Sequence, residues 1–284
     1  MATASGDLTT KAAVKTYLGL TGTTEDDRID ALIDRVSQAI ESHCNRAFAS
    51  TAYSKERHDG NGLTRLRLKH YPVSLVSRLS TATVCGLKVG NDSDTSGAYH
   101  AFVWADSTTL SLQIDGGDDD GTETLTLASY ATITALIAAV NAIGHGWSAE
   151  GEDTDAASYP ATDLLPTDAK YSALDETVYL DVPDDPQEDY MLEDAGDSGI
   201  LYHAGCFAHG TQNIVIDYTA GYSTIPDDIA DACILWVAAR YNRAKEGADG
   251  LKAENLGGES KTWVGGGMPD EVRELLAGYR ELVL

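Results

Sequence analysis

Asn213-Ile214-Val215-Ile216-Asp217-Tyr218-Thr219-Ala220-Gly221-Tyr222 is followed by Pro226 and then by residues 229 to 239, apolar at every position except Asp231. The first part alternates, with Ile214, Ile216 and Tyr218 two apart, as one face of a strand requires. Thr219 to Tyr222 ends that strand. Pro226 suits a helix start, where its missing N–H has no helical partner to lose. The helix after it is apolar nearly all round and therefore belongs inside a core. The run of 11 residues is too short for a bilayer, which takes about 20. A strand feeding a buried helix makes the class α+β.

Working outward, two amphipathic helices precede this unit. Leu8-Thr9-Thr10 opens the first, Ala13, Val14, Tyr17 and Leu18 recur at helical spacing, and Gly19 ends it. Thr24 followed by Asp27 approximates a capping box. Ile29, Leu32, Ile33, Val36, Ile40 and Cys44 then mark one face of a second, longer helix. Residues 57 to 62 carry a turn signal, and Leu66 and Leu68 alternate as in a strand. His70-Tyr71-Pro72-Val73 breaks it, and Leu75, Val76 and Leu79 begin another. Residues 246 to 268 are glycine-rich and aperiodic, which reads as a long flexible loop. A last helix from Pro269 places Val272, Leu275, Leu276 and Tyr279 on one stripe. The expected architecture is a small, mainly α-helical bundle with a short β-hairpin or sheet.

Charge divides the chain. Of 284 residues, 45 are acidic and 20 basic, a net charge of −25 that excludes a generic nucleic-acid binder. Residues 80 to 198 hold 24 of the acidic side chains against Lys88 and Lys170 alone, a net of −22. Residues 1 to 79 carry +2 and residues 199 to 284 carry −5. Such a shift marks 80–198 as an acidic insertion domain, with 1–79 and 199–284 forming one discontinuous core. Within the block, Leu110, Leu112 and Ile114 alternate, residues 115 to 121 turn, and Leu125 and Leu127 alternate again, as in a hairpin. Ile133, Leu136, Ile137 and Val140 form a helical stripe ended by Gly144, residues 149 to 175 read as loop, and Val178, Leu180 and Val182 as a strand. A β-rich subdomain with one helix is expected.

The sequence offers little chemistry. Cys44, Cys85, Cys206 and Cys233 form no C-x-x-C pair, and reduced structural thiols are expected. Phosphate-loop, nucleophile-elbow and H-E-x-x-H motifs are absent. His203, Cys206 and His209 lie three apart, but a closed zinc site takes four ligands and spacing identifies no fourth. Residues 115 to 123 could hold calcium, although Gly117 and Asp120 break the EF-hand pattern, and a solvated acidic turn explains them as well. Neither a metal, nor a cofactor, nor an enzyme activity is expected. The N-terminus lacks the basic and apolar regions of a signal peptide.

The flanks resemble the head–tail connector (adaptor) proteins of long-tailed bacteriophages. The resemblance rests on Leu8-Thr9-Thr10 with Val14, Tyr17, Leu18 and Gly19, and on residues 33 to 44 followed by Arg46 and Phe48. It continues through His70-Tyr71-Pro72-Val73 with Val76, the strand 215–222, Pro226 and the helix ending Ala238-Ala239-Arg240-Tyr241. Pro269, Glu271, Val272, Leu275, Leu276, Tyr279 and Arg280 complete the order. The 119-residue block has no counterpart in this pattern.

The resemblance implies a structural virion protein at the neck, assembled in the host cytoplasm. It implies a self-associated ring of twelve copies under the portal, extending the DNA channel and meeting a stopper or tail-completion protein. DNA would pass without specific binding, since an acidic wall repels phosphate. No membrane is involved. Lys261, Thr262, Trp263 and Val264 in the glycine-rich stretch are the expected docking residues, because a large aromatic in a polar loop makes an anchor that orders on assembly. Val272, Leu275, Leu276 and Tyr279 are candidate portal or neighbour contacts through the resemblance, and are equally explained by packing on the helix of residues 227 to 243. A rival reading makes the acidic block a surface module for a receptor, a carbohydrate or the capsid.

Overall fold

A computed structural model describes residues 6–117, 119–245, 253–256, 259–262 and 267–280. Its hydrophobic side chains gather into three clusters, one helical, one between strands of the flanks and one in the acidic block.

The helical cluster is built by Lys11–Leu18, Asp26–Cys44, Asp227–Lys245 and Asp270–Leu276. Thr10 caps the first helix by accepting from Ala13 N, and Gly19 closes it in the left-handed region at φ 66°. The expected capping box at Thr24 does not form; the second helix begins at Asp26 after Glu25, without a side-chain cap. Its first turn is instead held by ion pairs, Lys15 Nζ to Asp26 at 2.6 Å and Lys11 Nζ to Asp30 at 2.6 Å. Asp26 and Asp27 also sit where the helix dipole favours negative charge. Helix Asp227–Lys245 buries Ile229, Ala232, Cys233, Trp236, Val237, Ala238 and Tyr241, while Asp231 and Ala239 stay exposed, so it is buried on one side and not all round.

The flanks are not mainly helical. Strands Thr51–Gly60, Gly210–Ala220 and Val73–Ser80 form an antiparallel sheet with Gly210–Ala220 in the middle. Tyr190–Leu192, from the C-terminal end of the acidic block 80–198, joins Ile200–His203 and Arg65–Arg67 in a second three-stranded sheet, so that end of the block packs with the flanks. Leu66, Leu79, Leu201, Phe207, Ile214, Ile216 and Tyr218 fill the core between them. The architecture is mixed α+β, and the expectation of a bundle failed on one strand above all. Thr51–Gly60 is polar, and its register slips between Tyr53 and Glu56, where Lys55 takes φ 54°. A bulge of this kind destroys the period-2 pattern.

In the acidic block, strands Thr109–Asp115 and Gly121–Thr126 make the expected hairpin, with Leu110 opposite Leu125. Strands His100–Ala105 and Tyr171–Ser172 extend it to four, and Val178–Pro183, Thr83–Asn91 and Trp147–Glu150 form another sheet. The helix Ile133–Ile143, capped by Thr132, buries Ile133, Leu136 and Val140 against them. Among the described residues no helix is long and apolar enough to cross a membrane.

Candidate assembly interface

Helix Asp270–Leu276 turns its apolar stripe inward. Val272 and Leu276 are fully buried in the helical core, and Leu275 and Tyr279 are half-buried against it. The Tyr279 ring meets Phe48 edge-on at 6.1 Å between centroids, and burial raises its phenol above the ordinary range. What this helix shows to the outside is Asp270, Glu271, Arg273 and Glu274, with Arg273 paired to Asp270 at 2.6 Å. In the stretch read as an unbroken loop, Ala253–Leu256 and Glu259–Thr262 pair as antiparallel strands. Lys261 stands opposite Glu254 and Thr262 opposite Ala253. Trp263 and Val264 lie outside the described residues.

The residues weighed for metal have other partners or face solvent. His203 is buried, with Nδ1 3.1 Å from Asp189 Oδ1 and its ring against Phe207, while His209 is exposed. Asp119 pairs with His145 Nδ1 at 2.7 Å. Among the described residues no group of three or more His, Cys, Asp or Glu side chains is placed to hold a metal ion.

The residues that carried the resemblance converge on one joint. The Arg46 guanidinium lies over Tyr71 at 4.0 Å and within 5.8 Å of the Phe48 and Tyr222 rings, and donates to the Tyr71 carbonyl. Tyr222 N donates to Phe48 O at 2.7 Å, Ser50 N to Tyr222 O at 3.1 Å and Gly221 N to Pro72 O at 2.8 Å. Phe48 N donates to Glu41 Oε1 at 3.1 Å. The end of the second helix, the cis Tyr71–Pro72 bond and the end of the central strand are thereby locked together.

A buried polar cluster went unread. Glu56 lies under the central sheet beside His58, Lys69, His70 and Tyr218. Burial alone would raise its carboxyl, but the contacts from His58 and Tyr218 and the Lys69 charge reverse this and hold it down at about 2. His58 Nε2 and Glu56 Oε1 stand 3.3 Å apart without the alignment of a hydrogen bond, so the contact is electrostatic. Tyr53 stacks on His70 at 3.9 Å over this cluster. Glu56 and His58 lie on the inner side of the cluster while Lys69 is exposed at its rim, so the cluster joins the sheet's core to its surface.

A groove between helices Asp26–Cys44 and Asp227–Lys245 was also unread. Arg28, Ala31, Leu32, Arg35, Arg240, Arg243 and Ala244 line about 550 Å³. The signal lay in spacing, for Arg28, Ala31, Leu32 and Arg35 stand at i, i+3, i+4 and i+7, and Arg240, Arg243 and Ala244 at i, i+3 and i+4.

The family model described as head completion protein matches residues 7–90 and 122–282. The match therefore takes in both flanks and, beyond the resemblance read from them, much of the acidic block. Among solved structures the chain is similar to one described as the neck of an empty GTA particle computed with C6 symmetry. Identity is 16% and the TM-score 0.37, covering 100% of this chain and 95% of that one. No curated protein matches it. A chain matched from its first helix to its last in this way belongs to the head completion protein family, structural phage proteins of the head–tail interface.

Proposed function

We propose that the chain is a head–tail connector that forms a ring of twelve copies under the portal, extends the DNA channel and receives a stopper or tail-completion protein. The observation that carries this reading is the family match across both flanks, whose helices and sheets meet at the Arg46, Tyr71 and Tyr222 joint. A net charge of −25 per copy supports a passage that repels phosphate and lets DNA slide. Docking is assigned to the stretch 246–268, with Lys261, Thr262, Trp263 and Val264, and to the exposed face of the C-terminal helix. Leu275 and Tyr279, half-buried in the chain alone, join that contact at its edge.

Native mass spectrometry of the full chain titrated against the portal protein of the same phage tests the reading. Saturation at one copy per portal subunit is expected. No binding to an intact portal would overturn it and return attention to the acidic block as a surface module. Deleting 246–268 should abolish docking, and normal docking by that variant would remove this stretch from the interface.

A further inference from the structure

The Arg-lined groove on the helical pair has a composition that runs against the rest of the chain. Four of the 20 Lys and Arg residues surround it, on a floor of Ala31, Leu32 and Ala244. Two guanidinium groups are held in place by rings, Arg28 over Tyr241 at 5.2 Å and Arg240 over Trp236 at 4.9 Å. Stacking of this kind orients a cation without neutralising it. Arg28 has an exposed partner in Glu25 at 3.5 Å, a weak contact in water. Among the described residues Arg35 and Arg240 have no carboxylate partner. Arg35 and Arg240 thus present positive charge that an entering anion would compensate, and the apolar floor adds a surface that a free ion would leave uncovered.

An acidic polypeptide fits both properties, and every copy of this chain carries one. Residues 80–198 hold a net charge of −22, yet none of the described residues of that block lines the groove in its own chain. Positive groove and negative block thus sit on separate elements, the arrangement that head-to-tail contacts between copies require. Duplex DNA is disfavoured, because the remainder of the chain repels it. We infer that the groove formed by Arg28, Arg35, Arg240 and Arg243 receives an acidic segment from residues 80–198 of a neighbouring copy. This rests on the ring proposed above and names the contact that builds it.

The test is the charge reversal Arg35→Glu with Arg240→Glu in the full chain, titrated against intact portal protein and read by native mass spectrometry beside the unaltered chain. A circular-dichroism melt checks that the variant is folded, and Arg35→Ala, which leaves an exposed helix position, serves if it is not. The expected result is unchanged binding of the first copy and about tenfold weaker addition of each later copy, so that rings stay incomplete. A variant that fills the ring as the unaltered chain does would overturn the inference. So would loss of the first copy, which would turn the groove toward the portal, or a duplex-DNA gel shift by the unaltered chain that the reversal abolishes. Carbodiimide treatment of rings mixed from light and ¹⁵N-labelled Arg35→Lys chains gives the independent reading. Links from the new amine to carboxylates of 80–198 across labels are expected, and links confined to 246–268 of the same copy would overturn the inference. If the unaltered chain fails to bind the portal, the ring reading itself has failed.

Discussion

The Tyr218 hydroxyl donates to Glu56 Oε2 at 2.9 Å, joining the central strand of the flank sheet to its neighbour inside the core. The two are not register partners, since Tyr218 stands opposite Tyr53 and Glu56 opposite Ile216. The bulge at Lys55 brings them together, and Lys55 N donates to Asp217 Oδ1 to close it. Tyr218→Phe keeps the ring and removes the donor. It should cost about 1.5–3 kcal/mol in urea unfolding, the range for a hydrogen bond to a charged acceptor.

Glu56 also predicts an acid limit to stability. Its carboxyl sits at about 2 in the fold against 4.5 ordinarily, so the folded state holds it ionised more strongly than the unfolded chain does. That stabilisation is present in full above about pH 4.5 and is lost as pH falls toward 2. Allowing for screening by solvent, it amounts to about 1–2 kcal/mol. Glu56→Gln should flatten this part of the stability profile between pH 5 and 3 by about that amount. An unchanged slope would show that other carboxylates carry the acid transition.

Two glycines separate strain from simple preference. Gly221 has φ 102°, and a Cβ there would meet Ala49 O at 2.4 Å, inside the joint made by Pro72, Phe48 and Tyr222. Gly19 is also left-handed, at φ 66°, but has nothing within 4 Å. Gly221→Ala should destabilise by about 3 kcal/mol or more and Gly19→Ala by about 1 kcal/mol. Equal shifts of the urea midpoint would mean that the joint yields easily.

The same joint shows what the sequence could and could not convey. Helix 26–44 was legible because its buried residues follow the helical period, helix 11–18 because Ala13, Val14, Tyr17 and Leu18 recur at that spacing before Gly19, helix 227–245 because Pro226 precedes a nearly unbroken apolar run, and the hairpin of 109–126 because Leu110, Leu112 and Ile114 alternate. Strand Thr51–Gly60 was not, because its buried position at His58 and half-buried one at Glu56 are polar and Lys55 shifts the phase. Strand His100–Ala105 was missed for another reason. Its inward residues are Ala101, Val103 and Ala105, smaller than the outward Phe102 and Trp104, so size alternates against burial. Arg46, Tyr71 and Tyr222 were noted as separate pieces, and only folding reveals that they touch. The groove was not legible because Arg28 and Arg35 stand on one helix and Arg240 and Arg243 on another, and only folding sets the two stripes side by side.

Ser37 ties the N-terminal segment to the helical core. Leu8 N donates to Ser37 Oγ at 3.0 Å where both are buried, and Cys233 Sγ lies 3.8 Å away. Ser37→Ala strands the Leu8 N–H without a partner and should cost about 1–3 kcal/mol. Hydrogen exchange at Leu8 reports it directly, and protection equal to that of the unaltered chain would show that the segment is held by Val14 and its neighbours instead.

The four thiols should differ sharply in reactivity. Cys44 and Cys233 are fully buried, and burial pushes them up to about 11 and about 12. Cys85 is half-buried and pushed up to about 11, first by burial and then by the Glu152 charge beside it. The thiolate is the reacting species, so each unit above the ordinary value removes about nine-tenths of it at a given pH. Against the ordinary 9.0, Cys85 and Cys44 should react about 100-fold more slowly than a free thiol even before access is considered. Cys206, half-exposed beside the strand Ile200–His203, is left as the fast site. At pH 8 a disulfide reagent should therefore give one fast thiol per chain in the native protein, four in denaturant, and none fast after Cys206→Ser. A second fast thiol would place Cys85 in a more open setting than the sheet Val178–Pro183, Thr83–Asn91 and Trp147–Glu150 gives it, and would loosen that edge of the acidic block.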